Sequence, residues 1–213
     1  MRSQLSRVLM ALPLLACGGA SSDAPAAEPA ASVNAAPDAP AYSVADARAA
    51  VGALDVAELT SAPARVVARA ELDADIDMVW AYLSNHDNLV EYSNGILSSA
   101  DIDRSASNGS DGVGVRRTCE AGEDRFVERV VHFQAPYVFA YTVAENTWGL
   151  SNHLAVVALE PTADGGTALR WSQHYDGPTL EATAMLTQNL SGMLEGRILS
   201  FLTERFGGSV VSG

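Results

Sequence analysis

Apolar positions change their spacing along this chain, and each spacing predicts a different element. Val8 to Ala16 is one unbroken apolar run. From Ser43 to Glu58, the residues Val44, Ala47, Val51 and Leu54 fall on one helical face. Ser43 with Asp46 makes a shortened capping box, so this segment is either a docked helix or part of a linker. Arg65 to Leu72 has strand composition. Asp75 suits the N-cap of a helix over Ile76 to Leu83, whose Ile76, Val79, Trp80 and Leu83 share a face. His86 to Tyr92 suits a second short helix.

After Gly95 the period falls to two. Ile96 to Arg104, Gly114 to Glu120, Arg125 to Phe133, Tyr137 to Ala144, Asn152 to Glu160 and Thr167 to Tyr175 read as strands. Asn108-Gly109, Asp111-Gly112, Ala121 to Asp124, Gln134 to Pro136, Trp148-Gly149 and Asp164 to Gly166 separate them as turns, which predicts an antiparallel meander. The chain then returns to helical spacing from Leu180 to Phe206. Thr179 caps that helix, Glu181 and Arg205 suit its two ends, and Gly207-Gly208 stops it. Its sheet-facing stripe is Leu186, Leu190, Met193, Leu194, Arg197, Phe201 and Leu202, with Ile198 at the margin. Gly192 and Gly196 lie one turn apart, read either as close backbone packing on the sheet or as a soft point over a cavity.

Composition changes the picture mainly at the N-terminus. The 213 residues hold 13 Arg, no Lys and 26 Asp plus Glu, for a formal charge of −13. Such a chain lacks the basic footprint that nucleic acid or a polybasic membrane contact requires. Arg2 and Arg7 precede an apolar run too short to span a bilayer, which is a signal-peptide pattern. Leu14-Leu15-Ala16-Cys17 resembles the bacterial lipobox, which implies cleavage before Cys17 and lipidation of its sulfur. Gly18 to Ala41 is rich in Ala and Pro, with Val33 its only branched aliphatic. It buries too little to order itself and reads as a tether. The expected organisation is a leader over 1–16, a lipidated Cys and tether over 17–61, a domain over 62–208 and a tail over 209–213. Cleavage removes Arg2 and Arg7 and makes the mature chain still more acidic.

The element order is strand, two short helices, six antiparallel strands and a long helix. That order resembles the START-like helix-grip fold of the SRPBCC superfamily. Asp75-Ile76-Asp77-Met78-Val79-Trp80, Gly112 to Arg117, Phe126 to Val130 with Pro136 and Tyr141, and Gly165 to Ser172 look like its polyketide cyclase/dehydratase-type branch. The resemblance spans 63–206. It implies an α+β fold, a seven-stranded curved sheet gripping the long helix around an apolar cavity. The superfamily includes carriers, ligand-binding proteins and enzymes, so the fold alone does not assign a reaction.

Alternation gathers Thr167, Leu169, Trp171, Gln173 and Tyr175 on the more apolar face of the last strand, which is taken as inward. Phe126, Glu128, Val130 and His132 share one face of the strand from Arg125; the resemblance implies that Glu128 points inward, and Arg125 and Arg129 on the opposite face suit solvent. An inward Glu128 needs Arg116 or Arg117 as partner, or a raised pKa. The expected ligand-binding set is Arg116, Phe126, Glu128, Tyr141, Trp148, Trp171, Gln173, Tyr175, Leu190, Met193 and Leu194, with Trp148 at the rim. Glu128, His132 and Tyr141 are the candidate acid–base groups. The four His have no metal-ligand spacing, no Gly-rich phosphate loop is present, and no cofactor is expected. Cys119, the one thiol left beside Cys17, reads as a buried strand residue.

The leading expectation is an envelope-tethered protein that binds an apolar small molecule or lipid in its cavity. The alternatives are an aromatase/cyclase or dehydratase-type enzyme and a non-catalytic envelope interaction module.

Overall fold

The computed structural model describes residues 42–211; the leader, Cys17 and the Ala/Pro-rich stretch from Gly18 to Ala41 lie outside them. The first helix, α1 (Val44–Ala53), starts where the sequence predicts: Ser43 Oγ accepts from the Asp46 backbone N–H and donates to the Asp46 carboxylate. A short α2 (Val56–Leu59) follows, capped by Asp55. Then come β1 (Ala64–Leu72), α3 (Ile76–Ser84) capped by Asp75, a 3-10 turn at His86–Asn88, and α4 (Leu89–Tyr92).

The meander comprises β2 (Ser99–Asp103), β3 (Arg116–Ala121), β4 (Asp124–Gln134), β5 (Val138–Asn146), β6 (Ser151–Pro161) and β7 (Thr167–Asp176). Every paired neighbour in the sheet is antiparallel. The sheet has eight strands in the order β2-β3-β4-β5-β6-β7-β1-β8. The eighth strand, β8 (Ser209–Val211), corrects the expected tail: it pairs with β1. Gly207 and Gly208 adopt φ of +77° and +97° between the last helix and β8. A side chain on Gly208 would run into the Glu71 backbone, so the turn requires glycine there.

The long C-terminal rod consists of α5 (Leu180–Met193), one π-helical turn (Leu194–Leu199) and α6 (Ser200–Phe206). The wider turn shifts the buried face along the rod. Leu199 is fully buried, whereas Arg197, expected on the stripe, is exposed and donates to the Asn94 carbonyl. Gly192 and Gly196 are exposed, and a Cβ on either would touch nothing. Close packing therefore does not explain them.

Ladder register separates the two faces of the sheet. Phe139, Tyr141, Val157, Leu169 and Trp171 share the inner face, against which α3 and the C-terminal rod pack. There Trp80 of α3 meets Phe133 and Phe139 edge to face, with centroids 5.0 and 5.9 Å apart. Ala140, Val156, Ala158 and Ser172 point the other way. The segment from Tyr42 to Ala62 crosses this outer face. Tyr42 packs on Tyr137, Arg48 pairs with Glu160, the Thr60 hydroxyl donates to the Asn152 carbonyl, and His174 reaches the Ala62 carbonyl. Of the two readings of this segment, the docked helix is the one observed. With both faces covered, β6 is buried without a break from His153 to Leu159.

Candidate functional site

Between the inner face and the C-terminal rod lies a cavity of about 110 Å³. β4 contributes Phe126 and Glu128, β5 Tyr141 and Val143, β6 His153, and β7 Trp171 and Gln173. The rod closes it with Leu190, Met193, Leu194 and Ile198, the last two at either end of the π turn. Tyr92, Ser93, Ile96 and Leu97 close one side, and Trp148 and Leu150 another. Trp148 and Met193 also line an open groove of about 770 Å³ outside the rod, so they stand between cavity and solvent. Trp148 is held there edge to face against Phe126, with centroids 4.6 Å apart.

One wall carries a buried ion pair. Arg117 Nη2 lies 2.8 Å from Glu128 Oε2, with Arg117 1% and Glu128 15% exposed. The guanidinium sits 4.2 Å from the centre of the Tyr141 ring and donates to His86 Nδ1 at 3.4 Å. His86 Nε2 reaches the Asp111 carbonyl at 3.0 Å; a carbonyl only accepts, so Nε2 carries the proton and Nδ1 is the acceptor. Burial and the Arg117 charge lower the His86 pKa to about 3. Burial works against the Arg117 charge, but Glu128 together with Tyr92, Tyr141 and Cys119 outweighs it and holds the pKa above the ordinary arginine value. The Cys119 thiol lies 3.8 Å from Glu128 Oε2, and burial pushes its pKa up, so it is no ready nucleophile.

A second polar chain runs beside it. The Val143 N–H donates to His153 Nδ1 at 3.1 Å, which leaves the proton on Nε2, and Nε2 donates to Gln173 Oε1 at 2.8 Å. Beside it, burial and the Glu128 charge keep the Tyr141 phenol well above its ordinary pKa. His153 is lowered to about 4, chiefly by burial. His86 and His153 are therefore neutral, and Arg117 charged, near neutral pH. Tyr92 Oη and Trp171 Nε1, in residues of the same cavity lining, have no hydrogen-bond partner among the described residues.

Phe126, Glu128, Tyr141, Trp148, Trp171, Gln173, Leu190, Met193 and Leu194 thus line the cavity as the sequence predicts. Three expected residues do not. Arg116 is exposed and faces outward; its neighbour Arg117 pairs with Glu128 because it shares a strand face with Val115 and Cys119. That apolar parity was the signal that separates the two arginines. His132 leaves the inner face because the ladder slips between Val130 and His132. Val130 stands opposite Tyr141, whereas His132 stands opposite the outward Ala140. Tyr175 faces inward, but its hydroxyl reaches Thr187 of α5 at 2.8 Å and fills the space under the helix. Conversely, His153 was missed, although it continues the inward parity of Ala155, Val157 and Leu159. Cys17 lies outside the described residues. Among the described residues, no group of three His, Cys, Asp or Glu is placed to hold a metal ion, and no helix is long and apolar enough to cross a membrane.

A curved antiparallel sheet closed over an apolar cavity by a C-terminal helix defines a helix-grip protein. The match to a family model settles which kind: residues 63–201 fit the polyketide cyclase / dehydrase and lipid transport family, and the chain belongs to it. Cavity and family together make the domain a hydrophobic-ligand-binding module. Solved structures agree on the fold. A Thermobifida fusca protein is 22% identical, with a TM-score of 0.58 over 67% of this chain and 92% of its own. The Bacillus cereus protein XoxI is 16% identical, with a TM-score of 0.55 over 66% of this chain and 94% of its own. Norcoclaurine synthase from Thalictrum flavum, solved with dopamine and hydroxybenzaldehyde, is 14% identical, with a TM-score of 0.55 over 70% of this chain and 88% of its own. No curated protein matches the chain in sequence.

Proposed function

We propose that this protein binds a small hydrophobic molecule in the internal cavity while a lipidated Cys17 tethers it to the bacterial envelope. The cavity carries the first half of this reading. Its lining is mostly apolar, with Glu128, Tyr141, His153 and Gln173 gathered on the sheet side. That is the composition of a site that takes an apolar body and orients one polar group. At about 110 Å³ it is smaller than common drug-sized pockets of about 300–1,000 Å³. The volume favours a ligand of about one ring over a two-chain lipid, and norcoclaurine synthase, of similar fold, holds one-ring compounds. The unpartnered Tyr92 hydroxyl and Trp171 indole support a ligand with a hydrogen-bonding oxygen, since buried donors seldom go unpaired.

Native mass spectrometry and thermal shift against one-ring aromatics and membrane lipids test the reading. One-ring compounds are expected to bind one per chain, and Met193→Trp, which fills the cavity mouth, is expected to abolish this. Absence of binding across the panel would sink it. For the tether, Cys17→Ser is expected to move the protein from the membrane fraction to the soluble one; an unchanged distribution would count against lipidation.

A further inference from the structure

The outer face of the sheet carries a feature that the cavity does not use. Arg69 of β1 and Arg170 of β7 stand directly opposite each other in their ladder. Their Cβ atoms are therefore about 5 Å apart on the same face, where like charges repel. Neither makes an ion pair among the described residues, in a chain with twice as many acids as arginines. A second opposed pair, Arg116 and Arg129, differs: Asp103 stands opposite Arg116 on the next strand, and Glu145 shares the same recess.

Arg69 and Arg170 open into a groove of about 480 Å³. Arg48 and Val51 of α1 form one side, Ala158 the floor, and Val211 of β8 the other side. The groove holds two acids. Glu160 is taken by Arg48 at 3.2 Å, and Glu71, two residues from Arg69, makes no ion pair. Both arginines are exposed at the groove; the partial desolvation of Arg170 and the neighbouring Arg69 charge lower its pKa, with no carboxylate among the causes. The walls supplied by α1 and β8 lie outside the residues matched by the family, while Arg69, Ala158 and Arg170 lie inside them.

We propose that this groove is an anion site for a phosphate group, bridged between the Arg69 and Arg170 guanidiniums, with the substituent over Val51, Ala158 and Val211. Two planar guanidiniums offer two forks of donors. A phosphate has enough oxygens to meet both, and its charge turns their repulsion into two charge-assisted contacts. The net negative charge of the chain repels anions at a distance, so binding depends on these short contacts. The phosphate belongs either to a soluble phosphomonoester or to a phospholipid headgroup.

Calorimetry and thermal melting of the full-length chain test the site, using inorganic phosphate and glycerol 3-phosphate against chloride at matched ionic strength. Cosedimentation with phosphatidylglycerol and phosphatidylcholine vesicles separates the two sources. Phosphate is expected to raise the melting temperature, and Arg69→Gln or Arg170→Gln to weaken phosphate affinity about tenfold. Arg129→Gln should leave it unchanged. Without phosphate, Arg170→Gln should melt no lower than the parent, which shows that lost binding is not lost folding. Binding of soluble phosphates alone assigns the first source. Binding of phosphatidylglycerol vesicles that both groove variants lose assigns the second. Absence of any phosphate effect, or one that both variants retain, overturns the proposal.

Discussion

The two faces of the sheet are built from the same strands and solve opposite problems. On the outer face, Ala140, Val156, Ala158 and Ser172 are small, so the ten-residue α1 and the chain after it lie close and bury them. On the inner face, Phe139, Tyr141 and Trp171 are large, and the rod that covers them rests on these rings. Between such props a gap remains, and polar side chains gather at its wall. Alternation thus makes the outer face beneath α1 a packed layer, open only at the groove beside Arg69 and Arg170, and the inner face a closed container. The container holds the costly groups: Arg117, Glu128, His86 and His153 are polar or charged side chains placed in an apolar interior.

The strongest test of this contrast removes one member of the buried pair. Arg117→Met leaves Glu128 without its partner and is expected to cost about 3–5 kcal/mol of stability by urea denaturation. The double change Arg117→Met with Glu128→Leu should recover most of that loss. If the single variant unfolds no earlier than the parent, the pair is not the buried, water-excluded contact described above.

Acid provides the next test. His86 and His153 titrate near 3 and 4 in the folded chain, mainly through burial, against about 6.5 when unfolded. The unfolded state therefore binds more protons between these values, and stability rises with pH across the window. The contribution is complete above about pH 6.5 and is lost as pH falls toward 4 for His153 and 3 for His86, at up to about 1.4 kcal/mol per pH unit for each histidine. His153→Gln should flatten the profile by one proton. An unchanged slope would place His153 outside the buried chain to Gln173.

Adding volume compares the faces directly. Ala140→Leu overfills the outer layer and is expected to cost about 1–3 kcal/mol. Val143→Leu points into the cavity and should change stability by less than about 1 kcal/mol while weakening ligand binding. Equal costs at both positions would mean that the inner face is as tightly packed as the outer. The smallest effect on stability is expected from Trp148→Ala, at the partition between groove and cavity. It should speed ligand exchange, read by stopped-flow displacement, and leave the affinity within a few-fold. An unchanged exchange rate would remove Trp148 from the access route.

The inner face was legible where strand parity decides it. Trp171 and Gln173 on β7 line the cavity from a count of alternate positions, and Phe126 and Glu128 on β4 do so once the resemblance says which face of that strand turns inward. Parity failed at His132, where one extra residue in the ladder reverses the sides for the remainder of the strand. A single sequence carries no strong mark of such a slip, since Val130, Val131 and Phe133 are apolar on either reading. At Arg116 parity does decide: Val115, Arg117 and Cys119 alternate on the buried side, which leaves Arg116 outside and Arg117 to pair with Glu128. At Tyr175 it was right about direction and silent about distance, because the hydroxyl meets Thr187 before it reaches the cavity.

The sequence by itself determined the elements, their order, their caps and most of which side faces in, because these depend on neighbours a few residues apart. Asp75, Ser43 and Thr179 cap helices locally, and paired turn residues divide the strands wherever they stand. Only the tertiary structure decided the eighth strand, the π turn that buries Leu199 in place of Arg197, the docking of α1 and the cavity volume. Each of these depends on how far apart two layers are held by side chains distant in the chain, and spacing along the sequence does not encode that distance.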